Sequence, residues 1–165
     1  VLLNPETLAV EEKLATGRHP NDLRVLGDRL FVSCGSDDFV DVFDLYNRHR
    51  EERIVTRPWP DAPPGSTPHA LALSQDGEML LVANSDNNCV AVIEIEIRGA
   101  AKVLGFVPTG AYPTAIAVLA DDASVLTAAG KGYGTGPNGD TSNVDPIAPK
   151  GYPYIVSLMQ GLLSR

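Results

Sequence analysis

Apolar and polar residues alternate with a period of two along short stretches of the chain. In CVAVIEI, residues 89–95, Val90, Val92 and Glu94 fall on one face, and Cys89, Ala91, Ile93 and Ile95 fall on the other. In FVDVFDL, residues 39–45, Phe39, Asp41, Phe43 and Leu45 oppose Val40, Val42 and Asp44. Helical spacing fits neither stretch, and a two-residue period suits a pleated sheet buried on its faces between neighbours. The pattern predicts an all-β chain with helix confined to short turns. Punctuation agrees with it. QDGE and GDR supply the Asp and Gly of tight hairpins, and the Asn and Asp of NSDNN tolerate left-handed backbone. RPWPDAPPGSTP, residues 57–68, carries too many prolines to pair inside a sheet and predicts a loop.

The strands recur in units. TGRHPNDLRV is followed by GDRLFVSCGSDD and FVDVFDL; STPHALAL by DGEMLLVANSDNN and CVAVIEI; TGAYPTAIAV by DDASVLTAAGKG and, later, PYIVSLM. Pro20, Pro68 and Pro113 mark corresponding points, as do the acidic turns at Asp28, Asp76 and Asp122. A period of roughly 40–50 residues with four short strands per unit is the signature of a β-propeller blade. On this reading residues 17–58 and 66–108 are complete blades. Residues 1–16, with VLLNP and LAVEEKLAT as strands, end a preceding blade. Residues 109–165 form an incomplete one, with PYIVSLM as third strand, LLSR as fourth, and a Gly/Pro-rich insertion at 130–153. The fold class is thus about three and a half four-stranded propeller blades. Thr-Gly is expected to end each outer strand, with the glycine allowing the reversal and the proline fixing entry into the next inner strand.

Composition narrows the partners. Thirteen Lys and Arg against 21 Asp and Glu give a formal net charge of -8, which repels nucleic acid and anionic lipid. No apolar run approaches the roughly 18–20 residues of a membrane-crossing helix, so no membrane insertion is expected. The opening VLLNPETLAV has no initiator Met and no signal-peptide pattern, and reads as a piece of a longer product. Cys34 and Cys89 have no metal-ligand spacing and are expected as buried free thiols.

Candidate chemistry gathers where propeller loops converge. Loops entering the innermost strands and loops joining second to third strands emerge on one face, which puts His19, Asp37, Asp38, His69, Asp86, Asn87, Tyr112 and Lys131 near one rim. These are the ligand-binding candidates, for a protein, a glycan or a small molecule. His49, in the charged NRHREER, has no such placement. Gly134, Gly136 and Gly139 spell G-x-G-x-x-G, but the proline-rich sequence after them cannot be the helix that a dinucleotide site needs. Asp140, Ser142 and Asp145 offer oxygen ligands without the twelve-residue calcium loop and its terminal Glu. No nucleophile, base and metal set is assembled, so no catalytic residue, metal or cofactor is assigned.

LLVAN at 80–84, the looser LFVSC at 30–34 and the degenerate VLTAA at 125–129, each within a unit opened by the proline, resemble the YVTN-type β-propeller family of forty-residue repeats. PTGAYPTAIAV, AAGKGYGTGPNGD and PYIVSLMQGLLS are similar to the propeller portion of bacterial secreted proteins that also carry an alkaline-phosphatase-like phosphoesterase domain. These resemblances imply a partial seven-bladed propeller, periplasmic or secreted, acting as a non-catalytic binding module. Seven-bladed lactonases that hydrolyse sugar lactones also look similar at the level of these repeats and supply the alternative. Open ends lined by Val40, Val42, Val90 and Val92 would favour a homodimer of the isolated segment.

Overall fold

The computed structural model describes residues 1–120, 124–134 and 159–165, and every regular element among them is a strand. The expected turn residue Asp122, the strand PYIVSLM up to Leu158, the glycines at 136 and 139, and the Asp140, Ser142 and Asp145 group lie outside the described residues.

The first complete blade runs β3 (Pro20–Leu26), β4 (Arg29–Cys34), β5 (Phe39–Asp44) and β6 (His49–Val55). The second runs β7 (Pro68–Leu73), β8 (Met79–Asn84), β9 (Cys89–Glu94) and β10 (Lys102–Pro108). Each is an antiparallel meander in which chain order equals spatial order. The third sheet holds β11 (Pro113–Val118), β12 (Val125–Ala129) and β13 (Leu162–Ser164). Before them, β1 (Leu2–Leu3) pairs with β2 (Val10–Glu12). LLSR therefore takes the third position, beside β12, and not the fourth position assigned to it from sequence.

The two-residue period decides where the core sits. From the first blade, Phe31, Val40, Val42 and Ile54 meet Leu71, Leu80, Val82, Ala91, Ile93 and Ile95 from the second. The opposite face of the second blade sends Ala70, Ala72, Leu81, Ala83 and Val90 toward Ile116 of the third, with Val92, Val118 and Val125 packed alongside. Both faces of the middle sheet are thus buried. Val40, Val42, Val90 and Val92 lie within these joints, so the valines expected to line open ends already have neighbours in the chain, and the homodimer loses the residues on which it was argued. Cys34 and Cys89 are buried and free, and burial pushes both thiols above the usual range.

A charged staple closes the first joint. Arg98, after β9, donates to both Asp28 oxygens at 2.8 and 2.9 Å, to Asp44 at 3.2 Å and to Glu51 at 2.9 Å. Arg29 Nη1 donates to the Ile95 carbonyl at 2.6 Å. One guanidinium thus ties the second blade to three carboxylates of the first, and Glu51 and then Asp28 raise its proton affinity.

Candidate ligand-binding rim

The rim is built from two kinds of loop that hold each other in every blade. Residues entering β3, β7 and β11 offer carbonyls to the hairpins after β4, β8 and β12. Gly35 N donates to His19 O, Ser85 N to Thr67 O and Gly130 N to Tyr112 O, at 2.9, 3.0 and 2.9 Å. A second rung repeats beside it, from Ser36 to Arg18, Asp86 to Ser66 and Lys131 to Ala111.

The Thr-Gly phrase has a role different from the expected one. Neither Gly17 nor Gly110 has a positive φ; the reversal falls two residues on, at His19 (φ 55) and Tyr112 (φ 61), and in the second blade at Thr67 (φ 50), each just before the repeat proline. The glycines are needed for close approach. A Cβ at Gly17 would lie 2.6 Å from the Phe39 ring, and one at Gly110 would lie 2.9 Å from both the Ala129 Cβ and the Gly132 carbonyl oxygen. Each preceding threonine hydroxyl donates to the glycine carbonyl at 2.9 Å.

Asp38 is the most engaged of the candidates. It is buried, left-handed (φ 57), and sits immediately before β5. Its Oδ1 accepts Ser66 N at 2.7 Å and Thr67 N at 3.3 Å, its Oδ2 accepts Gly65 N at 2.8 Å, and Arg57 Nε lies 3.4 Å from Oδ2. Its carbonyl accepts Thr56 N at 2.9 Å. Asn88, left-handed (φ 53) before β9, repeats the device: its Oδ1 accepts Tyr112 N at 2.8 Å and its carbonyl accepts Thr109 N at 2.9 Å. Side chains at these hairpin ends fasten the connection into the next blade.

Most other candidates are also occupied. Asp37 takes Arg18 N at 2.6 Å and Arg18 Nε at 2.8 Å. Asp86 Oδ2 accepts the Thr67 hydroxyl at 2.5 Å, Asn87 Nδ2 donates to Ser66 Oγ at 2.8 Å, and Lys131 Nζ stands 4.0 Å over the Tyr112 ring. His69 lies one residue inside β7, where its carbonyl accepts Ser33 Oγ at 3.1 Å. The imidazoles of His19 and His69 have no hydrogen-bond or ion-pair partner among the described residues. No group of three or more His, Cys, Asp or Glu able to hold a metal ion occurs among the described residues.

Sequence reasoning passed over Asp22 and Asp41. Asp22 Oδ2 accepts Leu71 N at 2.9 Å across the first joint. Buried Asp41 accepts Gly17 N at 2.9 Å and pairs with Arg53 at 2.9 Å, whose guanidinium lies 3.7 Å from the centre of the Phe39 ring. An Asp inside an otherwise apolar strand was the available signal at 41, because a buried carboxylate must be paired.

Two carboxylates, Asp37 on the rim and Asp44 at the far end of β5, give the fold a pH signature. Asp37 is held below the usual carboxylate range by the Arg18 backbone N–H and then by its side chain, and Asp44 by the Asn47 backbone N–H and then its side chain. A depressed folded value stabilises above the unfolded value of about 3.9, and that stability is lost as pH falls through the folded values. The urea midpoint should therefore stay level from pH 7 to 5 and fall below about pH 4. A midpoint that rises on acidification would contradict these ties.

No family model matches the chain. A segment of 68 residues, 41% of the chain, is 38% identical to the tRNA (guanine-N(7)-)-methyltransferase non-catalytic subunit of Aspergillus clavatus, spanning 14% of that subunit. Among solved structures, hydrazine synthase of Kuenenia stuttgartiensis superposes on 74% of the chain and 33% of its own, at a TM-score of 0.59 and 21% identity. The Pseudomonas aeruginosa periplasmic gluconolactonase superposes on 66% of the chain and 33% of its own, at 0.50 and 22%. The chain is a run of β-propeller blades. It spans well under half the length of each of these proteins, and at these identities the structural likeness establishes the fold alone.

Proposed function

We propose that the chain is a non-catalytic binding module, part of a YVTN-type propeller in an exported bacterial protein, which presents its rim to a protein, glycan or small ligand. The observation that carries this reading is the commitment of the rim acids. Asp37, Asp38 and Asp86 each accept hydrogen bonds from a loop of their own blade or the next connection, so removing any of them for proton transfer would loosen the frame. A general base must stand within hydrogen-bond reach of a substrate proton while keeping acceptor capacity. A non-catalytic relative and the sequence resemblance to secreted propellers support the same reading.

A lactonase would have to work from His19 and His69, the two candidates whose side chains lack partners among the described residues. The test is turnover of glucono-δ-lactone and p-nitrophenyl phosphate by the purified chain, with calcium, magnesium, manganese and zinc added in turn. The expected result is no hydrolysis above buffer with any metal. Metal-dependent turnover that His69→Ala or Asp86→Asn abolishes would replace the module reading with the enzymatic one.

A further inference from the structure

The outer edges of the two complete blades differ in a way that the shared fold does not require. Among the described residues each outermost strand has a hydrogen-bonded neighbour on one side only, and natural sheets blunt such edges with charge. The first blade does so: β6 reads HREERIV. The second does not. β10 reads KVLGFVP, with a single charge at its first residue and a shift of register between Val103 and Gly105.

A groove of about 660 Å³ runs between β10 and the end of β6. Val103 and Phe106, which pack on the core between the blades, line it from below. Trp59 and Leu104 line it while remaining 58% and 46% exposed, and Val55 adds a further exposed apolar side chain. Arg57 completes the lining. Its Nε, buried and without a hydrogen bond, forms an ion pair with Asp38 at 3.4 Å, and its two Nη groups have no hydrogen-bond acceptor among the described residues. Two complete blades flank the groove.

We propose that this groove docks an extended segment of a partner protein, which adds a strand to the free edge of β10, sets an apolar side chain against Trp59 and Leu104, and brings one carboxylate to Arg57. Unpaired backbone N–H and C=O groups along a strand are matched in register by another polypeptide backbone, while alternate side chains supply selectivity. Tryptophan and arginine are the residues on which such interfaces concentrate their energy, and a guanidinium prefers a carboxylate it can grip through two N–H groups. A net charge of -8 repels an acidic tract, so the fitting segment is mainly apolar with a single acid. The groove adjoins the rim at Arg57, 3.4 Å from Asp38, and the proposal stands whether or not the rim binds anything.

Selection from a phage library of random twelve-residue peptides, panned on the 165-residue chain with the Trp59→Ala chain as counter-target, tests it. Enriched peptides should alternate apolar residues around one Asp or Glu. They should move the emission of Trp59, the single tryptophan of the chain, to shorter wavelength, and bind the Arg57→Gln and Leu104→Lys chains about tenfold or more weakly. Trp59 and Leu104 are surface residues, so unfolding midpoints near wild type will certify those two variants. No enrichment over the counter-target overturns the proposal, as does undiminished binding to Leu104→Lys. Tryptophan shifts from a glycan panel without peptide enrichment overturn it in favour of a sugar.

Discussion

Replacing Asp38 with alanine should lower the free energy of unfolding by about 3–5 kcal/mol at pH 7, the cost of removing one partner from a buried charged site. Three backbone N–H groups, of Gly65, Ser66 and Thr67, lose their acceptor, and Arg57 loses its counter-charge. Alanine must also hold a left-handed backbone that Asp and Asn tolerate better (φ 57). Asp38→Asn should lose less than half as much, since an asparagine performs the corresponding task at position 88. Equilibrium urea unfolding reads both. An Asp38→Ala chain within about 1 kcal/mol of wild type would mean that the connection between the blades holds itself.

Leu80→Ala should cost about 2–5 kcal/mol, because the lost transfer energy adds to the cavity left in a joint that cannot collapse. Leu80 is 0% exposed and sits mid-sheet, paired with Leu73 on one side and Ile93 on the other. The sheets on either side of this joint are stapled by Arg98, which restricts their approach to fill the space. Leu163→Ala, at an exposed position in β13, should stay within about 0.5 kcal/mol of wild type. Equal losses at the two positions would show that the first joint is not the packed core described here.

Much of the frame was legible because it rests on periods. Alternation in CVAVIEI announced a strand with two buried faces, and the structure sends Ala91 and Ile93 one way and Val90 and Val92 the other. The repeat prolines announced where inner strands begin, and β3, β7 and β11 start at Pro20, Pro68 and Pro113. Legibility ended where a residue's task lies across the sheet or beyond the blade. That Gly17 is needed for the Phe39 ring, and not for its own φ, depends on a contact more than twenty positions away. Alternation placed Val40 and Val42 on a buried face, but could not say whether that face was an open end or an inner joint. Asn88 read as a turn residue and Asp38 as a rim-loop candidate, and both take a left-handed turn by backbone. Their carbonyl and side-chain bonds to the next connection depend on how the outer strand returns, which local sequence does not encode.

Native-state amide hydrogen exchange at Gly65, Ser66 and Tyr112 tests the claim on which the account turns, that rim side chains are spent on holding the blades together. These amides lie in connecting loops that sequence alone would leave open to water, yet each donates to a side-chain oxygen of Asp38 or Asn88. They should exchange about a hundredfold or more slowly than unstructured peptide amides, approaching the strands they precede. Exchange at free-peptide rates would contradict the account, because it would leave Asp38 and Asn88 free to serve a reaction.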